Sequence, residues 1–192
     1  MSGHTLFAVV LAAGGSRRFG STKQLASLAG TPLVTGVVRT AESVCGACTV
    51  VIVGNDWQKV AAACEPLSGY LAVNPDYATG LGGSIATGVA ALGDSAQGVL
   101  MLLADQPLVT AAHLQDLIDL WRSAPEEIVA SAYAGTAGPP VIFPQAYFGV
   151  LKQLSGDRGA KDLLASNAAS VRTISCMDAA VDIDRPADLE NL

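Results

Sequence analysis

Three groups of residues in this sequence are of types that do chemistry on charged ligands. The first is Gly14-Gly15-Ser16-Arg17-Arg18-Phe19-Gly20-Ser21-Thr22-Lys23, a glycine-rich stretch with three cations directly after the apolar run Val9-Val10-Leu11-Ala12-Ala13. Backbone N–H groups and cations converging on one turn suit a polyphosphate. Glycine at 14 and 15 lets those N–H groups come close, where a β-carbon would intrude. Arg18 can clamp phosphate oxygens bidentately, and Lys23 offers a compact positive charge. Spacing alone balances this role for Arg17, Arg18 and Lys23 against a solvated loop. The second group is Asp105, at the end of Gly98 to Leu103, the most apolar run in the chain. A carboxylate there needs a partner, and Mg²⁺ is the obvious one; a turn or helix cap is the other reading. The third is Asp182 and Asp184, two apart on an extended segment and so on one face. Either could complete a Mg²⁺ site.

These residues need elements to hold them. Leu6 to Leu11 reads as a strand, as do Thr49 to Val53, Tyr70 to Val73, Gly98 to Leu103, Ile128 to Ala132, Val141 to Phe143, Val171 to Ile174 and Val181 to Ile183. Between them lie helical stretches. One opens at Thr31-Pro32, with Pro32 at the first helical position, and runs to about Ser43. Others run from an Asp56 cap to Cys64, from Gly80-Leu81-Gly82-Gly83-Ser84 to Leu92, and from a Thr110 cap through Leu114, Leu117, Ile118 and Trp121, which share one face. Gly135 to Gly138 reads as a loop. Tyr147 to Leu154, a helix opened by Ser155-Gly156-Asp157-Arg158-Gly159 and ending near Ala165, and a terminal helix from Ala187 to Leu192 complete the chain. Strand–helix alternation throughout predicts an α/β three-layer α/β/α sandwich on a mostly parallel sheet. Ligands of such folds bind beyond the carboxyl ends of the strands, where one site can collect all three groups.

The bulk properties agree. At 192 residues, with 51% hydrophobic residues and 15% charged ones, the chain is globular and apolar, the opposite of a disordered composition. The net charge of −6 argues against broad nucleic-acid binding. No apolar run reaches the ~18 residues of a membrane span, and the start lacks the cationic segment of a signal peptide, so the cytoplasm is the expected compartment and no membrane partner is expected. Cys45-Gly46-Ala47-Cys48 has C-x-x-C spacing, but His4 and His113 form no ligand pair with it. A structural role is expected there, with a redox role as the alternative. His113 is expected on an exposed first helical turn, and Trp57 and Trp121 as packing residues.

The glycine loop is neither of two common phosphate motifs. Counted from Gly14, the Rossmann pattern G-x-G-x-x-G fails at Ser16 and Phe19. Gly15 and Gly20 have Walker spacing, but Lys23 is displaced by two places. Leu11-Ala12-Ala13-Gly14-x-Ser16-x-Arg18-Phe19-Gly20-x-x-Lys23 instead resembles the L-A-A-G-x-S-x-R-M-G-x-x-K signature of the MobA-like nucleotidyltransferases, with Phe19 for the usual methionine. The branch it resembles most is molybdenum cofactor cytidylyltransferase. Asn74-x5-Gly80-x3-Ser84-x3-Gly88, Asp105-Gln106-Pro107, Gly138-Pro139-Pro140-Val141-Ile142-Phe143, Gly156-Asp157-Arg158-Gly159-Ala160 and Asp182-Ile183-Asp184-x-Pro186-x-Asp188-Leu189 resemble the later family motifs, in the family's order.

The resemblance implies a Rossmann-like nucleotide-diphospho-sugar transferase fold over residues 1–192, with the part up to about residue 110 binding nucleotide and 111–192 facing the acceptor. It implies Mg²⁺-dependent transfer of CMP from CTP to the phosphate of molybdopterin cofactor, with pyrophosphate released. A molybdoenzyme or its insertion chaperone would receive the product. Lys23, Arg18 and Asp105 are the implied catalytic residues, with Arg17 left on the surface. Leu11, Ala12, Ala13, Gly14, Gly15, Ser16, Arg18, Lys23, Asn74, Gly80 and Ser84 are implied for the nucleotide. Ser84 could otherwise be a helix N-cap, and Asn74 a turn residue before Pro75. Asp105 and Asp184 are implied for the metal, with Asp182 in reserve and Asp188 as first-turn helix charge. Gly156, Asp157 and Arg158 are implied for the acceptor, although Asp157 could simply cap the following helix. Ala12-Ala13-Gly14, rather than an L-A-G-G form, favours the cytidylyl branch. The rival readings are a GTP-dependent or other-acceptor transferase, an NAD(P)H-dependent oxidoreductase on the same scaffold of the nicotine-blue-reductase kind, and a non-catalytic cofactor carrier.

Overall fold

The computed structural model describes residues 4–16, 19–157, 159–190 and 192. Arg17, Arg18 and Arg158 lie outside the described residues. In chain order, β1 (Leu6–Ala12) is followed by a two-rung hairpin of β2 (Ser27–Leu28) and β3 (Thr31–Pro32), then α1 (Leu33–Cys45), β4 (Thr49–Val53), α2 (Trp57–Cys64), β5 (Tyr70–Val73), α3 (Leu81–Ala90) and β6 (Gly98–Leu103). The second half runs α4 (Ala111–Ser123), β7 (Ile128–Tyr133), β8 (Thr136–Pro144), α5 (Phe148–Leu151), α6 (Lys161–Ser166), β9 (Val171–Ser175) and α7 (Pro186–Leu189). No described helix is long and apolar enough to cross a membrane.

Seven strands form one mixed sheet in the order β5-β4-β1-β6-β8-β7-β9. All run parallel except β8, which pairs antiparallel with both β6 and β7. Every residue of β1 and β4 is buried, as expected of continuous apolar runs covered on both faces. The period of two divides β1 between two cores. Leu6, Ala8, Val10 and Ala12 pack with α1, α2 and α4, whereas Phe7, Val9 and Leu11 pack with α3, α5 and α6. This is the α/β/α sandwich that strand–helix alternation predicts. α3 lies close on its strand: a Cβ at Gly88 would come within 2.7 Å of Val9 Cγ1.

Register decides where the chemistry gathers. Leu11 pairs with Ile52 on one side and Leu103 on the other. The chain therefore leaves β1, β4 and β6 at the same height, and three loops start from one edge: those beginning at Ala13-Gly14-Gly15-Ser16, at Gly54-Asn55-Asp56, and at Ala104-Asp105.

Several local expectations are corrected. The helix expected from Thr31-Pro32 begins one residue later, at Leu33: Pro32 is the N-cap of α1 and not its first residue, and Thr31-Pro32 pairs with Ser27-Leu28. Gly135 to Gly138 is not a loop. Ala134 and Gly135 both have positive φ (48° and 74°), the requirement of a two-residue hairpin turn, and the strand continues through Gly138. The Tyr147 to Leu154 helix is a 3-10 turn followed by the one-turn α5, and the terminal helix is the single turn α7. Val181 to Ile183 is not a strand, although Ile183 is fully buried. Its N–H donates to the Asp105 carbonyl at 3.0 Å, which ties this segment to the end of β6 without joining the sheet. Thr110 does cap α4, accepting from the His113 N–H. Trp121 is fully buried, but Trp57 is exposed at the start of α2 and is not a packing residue.

Candidate active site

The three loops and the start of α3 enclose an open cleft of about 560 Å³, lined among others by Leu11, Ala13, Gly14, Gly15, Ser16, Lys23, Asp105 and Asp184. The glycine loop is shaped from beneath by Gln24, which is buried. Its Nε2 donates to the Gly14 carbonyl at 2.8 Å, and its Oε1 accepts from Ser16 Oγ at 3.1 Å. Ser16 Oγ in turn accepts the Lys23 N–H at 3.0 Å. This ring commits the Gly14 carbonyl to the protein and fixes the start of the short 3-10 turn that carries Lys23. A Cβ at Gly14 or Gly15 would meet its nearest protein atom at 3.6 or 3.8 Å, ordinary contact. Packing within the chain therefore does not require glycine there; close approach by something in the cleft would.

Lys23 meets two carboxylates from distant parts of the chain. Its Nζ lies 2.8 Å from Asp105 Oδ2 and 3.0 Å from Asp184 Oδ1, with only 13% of the lysine side chain exposed. Burial by itself favours loss of the lysine proton. The Asp105 charge and hydrogen bonds to both aspartates outweigh it and raise the Lys23 pKa above its ordinary value. The other Asp105 oxygen, Oδ1, is buried without a hydrogen-bond partner. An orphaned carboxylate oxygen inside a cleft is costly unless a cation completes it. Asp182 stands beside this pair; desolvation first, then the Asp105 charge, push its carboxyl above the usual range. The Asp188 carboxylate accepts the N–H groups of Asp184 and Arg185 at 2.8 and 2.7 Å and so orients the Asp184 segment.

Among the described residues no group of three or more His, Cys, Asp or Glu is spaced to hold a metal ion. A two-carboxylate site still fits Mg²⁺ or Mn²⁺ in a nucleotide enzyme, because phosphate oxygens and water fill the other positions. Hard oxygen donors on Asp105 and Asp184, one of them unsatisfied, match that demand.

The remaining predicted residues divide. Ser84 and Gly80 line the cleft. Gly80, not Ser84, is the N-cap of α3. Asn74 is buried, its amide donating to Ser84 Oγ at 3.1 Å and accepting the Asp76 N–H at 3.0 Å, so its contacts fix the α3 entry. Ala12 is enclosed in β1. Asp157 lines the cleft and does not cap α6, whose N-cap is Ala160. Gly156 joins the two halves: its carbonyl accepts the Gly82 N–H at 2.9 Å. Gly80, at φ 126°, would place any Cβ 2.3 Å from the Gly156 carbonyl carbon. Only glycine fits there.

Sequence reasoning missed Gln24, Asn55 and Tyr77, which also line the cleft. The Tyr77 hydroxyl donates to Asn55 Oδ1 at 3.3 Å. Asp56 does not cap α2 with its side chain; its carboxylate takes the Thr22 hydroxyl and the Lys59 ammonium, pinning the far end of the glycine loop. A polar residue directly after Lys23 and an aromatic inside the Asn74-to-Gly80 motif were the available signals. His113 is corrected outright. It is buried and its Nε2 lies 2.8 Å from Ser131 Oγ, away from the cleft. Cys45, with its thiol pushed up to about 12 by burial and then by Cys48, holds no thiolate near neutral pH.

The chain is similar to known proteins over most of its length. Residues 8–171 match the family described as MobA-like NTP transferase domain. The chain is 33% identical to the purine catabolism protein PucB of Bacillus subtilis (strain 168), over 96% of this chain and 94% of that protein. It is 30% identical to nicotine blue oxidoreductase of Paenarthrobacter nicotinovorans, over 88% and 86%. The crystal structure of Rv0371c from Mycobacterium tuberculosis H37Rv superposes with a TM-score of 0.85 at 28% identity, covering 100% of this chain and 98% of that one. A manganese complex of Rv0371c superposes at 0.81, with 26% identity and coverage of 99% and 98%.

Proposed function

Since the chain belongs to the MobA-like NTP transferase family, we propose that it transfers CMP from CTP to the phosphate of molybdopterin cofactor and releases pyrophosphate. The coarser statement, a nucleotidyltransferase acting on a nucleotide substrate, follows from the family itself. The observation that supports metal-assisted transfer from a triphosphate is the meeting of Lys23 with Asp105 and Asp184 beside the Gly14–Ser16 loop.

In the reaction an acceptor phosphate oxygen forms a bond to the α-phosphorus, and the bond from that phosphorus to the β-phosphate's bridging oxygen breaks. The electron pair leaves on pyrophosphate. The nucleophile is already anionic, so the demand is alignment and charge neutralisation, not proton removal. Backbone N–H groups of the glycine loop bind triphosphate oxygens, and Lys23 and Arg18 neutralise them. Ser84, oriented by Asn74, faces the nucleoside. Asp105 and Asp184 would hold a divalent cation, Mg²⁺ in this reading, which supplies further neutralisation of phosphate charge. Residues 111–192 supply the acceptor side through Gly156, Asp157 and Arg158, and the Gly80–Gly156 contact keeps the two sides in register.

The choice of CTP draws on the Ala12-Ala13-Gly14 form of the loop, and the acceptor assignment on the family resemblance and on the relative named for purine catabolism. Xanthine is a purine, and hydroxylases of the xanthine dehydrogenase kind would use the dinucleotide cofactor. The test is pyrophosphate release with molybdopterin cofactor as acceptor, comparing CTP with GTP. Acceptor-dependent release that prefers CTP supports the assignment; GTP outcompeting CTP overturns it. The relative named as an oxidoreductase makes one second arm worthwhile. NAD(P)H oxidation without triphosphate turnover would move this chain to that chemistry.

A further inference from the structure

The two carboxylates suited to a metal already share a cation. Lys23 Nζ takes Asp105 Oδ2 and Asp184 Oδ1 at 2.8 and 3.0 Å. Both oxygens belong to the residues that would hold the divalent ion, and an ammonium in contact with them repels a second cation strongly in a partly desolvated cleft. The lysine is also the residue best placed to leave. It starts the 3-10 turn at the end of the glycine loop, and it lines the same cleft as Gly14, Gly15 and Ser16, where a triphosphate offers the ammonium several anionic oxygens. Its backbone is anchored separately, through the Ser16 hydroxyl, so the side chain can change partners while the loop keeps its shape.

We infer that Lys23 is a built-in counter-cation: it occupies the Asp105–Asp184 pair in the nucleotide-free enzyme, excludes the divalent ion, and yields the pair only when a triphosphate takes the ammonium. The inference rests on the metal-assisted transferase reading above. It makes metal and nucleotide entry cooperative, since each favours the state the other needs. It also removes the repulsion that two facing carboxylates would otherwise exert on each other while the cleft is empty.

The test is Mn²⁺ binding to the nucleotide-free protein, followed by the electron paramagnetic resonance signal of free Mn²⁺. Lys23→Gln should bind Mn²⁺ about tenfold or more tightly than the unsubstituted protein, the size of an ordinary coupling between sites. The double variant Lys23→Gln/Asp105→Asn should lose the gain. Thermal melts check folding and give a second readout. Lys23→Gln should melt lower than the unsubstituted protein without metal, and Mn²⁺ should raise its Tm more. Lys23→Met serves if the glutamine variant does not fold. Equal affinity in the two single-chain forms, including no binding by either, overturns the inference, as does a gain that survives Asp105→Asn. If it fails while the unsubstituted protein still releases pyrophosphate from CTP, the transferase reading stands. Tighter binding by Lys23→Gln in a protein that turns over no triphosphate keeps the cation exchange and overturns the transferase reading.

Discussion

Two places in this molecule bring reactive side-chain types together, and they differ in what they leave unsatisfied. His113 and Ser131 sit under the second half of the sheet. The Ser131 hydroxyl donates to the Pro140 carbonyl at 2.9 Å, so the bond at 2.8 Å to His113 is completed by the His113 Nε2–H. Every donor there has its acceptor, and neither side chain lines the cleft beside the glycine loop. Lys23, Asp105 and Asp184 sit where three loops leave the sheet. Asp105 keeps a buried oxygen with no hydrogen-bond partner, and an open cleft of about 560 Å³ adjoins it. A histidine beside a serine suggests catalysis by residue type, yet the closed pair is a fastening between α4, β7 and β8. A lysine between aspartates suggests a structural ion pair, yet the unfinished valence is what singles it out as the proposed working site. Unsatisfied capacity beside open space is the better guide to function.

That contrast can be broken by substitution. The largest effect is expected for Asp105→Asn, which keeps size and removes charge: transfer should fall about 10³-fold in kcat/KM while the melting temperature stays within a few degrees. Lys23→Ala should lower the same constant about 10²-fold. In the closed pair the order reverses. His113→Ala should leave pyrophosphate release within about twofold and cost about 1–3 kcal/mol of stability in urea titrations, because the Ser131 hydroxyl loses a buried partner. Activity lost with His113, or kept without Asp105, would show that the two clusters have been assigned the wrong way round.

The smallest effect is in pH. Desolvation chiefly holds the His113 pKa below its ordinary 6.5, with nearby carboxylates opposing. A depressed folded-state value means that the native protein resists protonation here more than the unfolded chain does. The contribution to stability is therefore present above pH 6.5 and is lost as pH falls through that value toward the folded pKa. The urea midpoint should decline on acidification below this point, and His113→Ala should flatten that part of the curve. A slope unchanged by the substitution would assign the acid loss to other groups.

Much of this was legible in the sequence, for a physical reason. Buried parallel strands are short apolar runs, and β1, β4 and β6 are recognisable as such. Strand ends in an α/β sheet gather ligands, which is why Asp105 could be expected near Lys23 although 82 residues separate them; Asp184, 161 residues from Lys23, reaches it on a segment tied to Asp105 by the Ile183 backbone bond. What stayed hidden depends on partners that a linear pattern does not contain. Val181 and Ile183 alternate with Asp182 like a strand, but no neighbouring strand offers a ladder, and the backbone bond to Asp105 takes its place. His113 falls on the first turn of α4, where exposure is the usual outcome; only the packing of α4 over β7 supplies Ser131. Gln24 looks like a surface glutamine until the return of the loop above it is known. The Ala134-Gly135 turn was concealed by the glycines that follow it.

In the proposed mechanism the glycine loop holds a triphosphate while Asp105 and Asp184 hold its metal. A crystal structure with CTP and a divalent cation tests it most directly. Triphosphate oxygens are expected on the Gly14–Ser16 backbone, with Lys23 moved from the aspartates to phosphate and the cation bound by Asp105 and Asp184. A cation held elsewhere, or a triphosphate seated away from this loop, would contradict it.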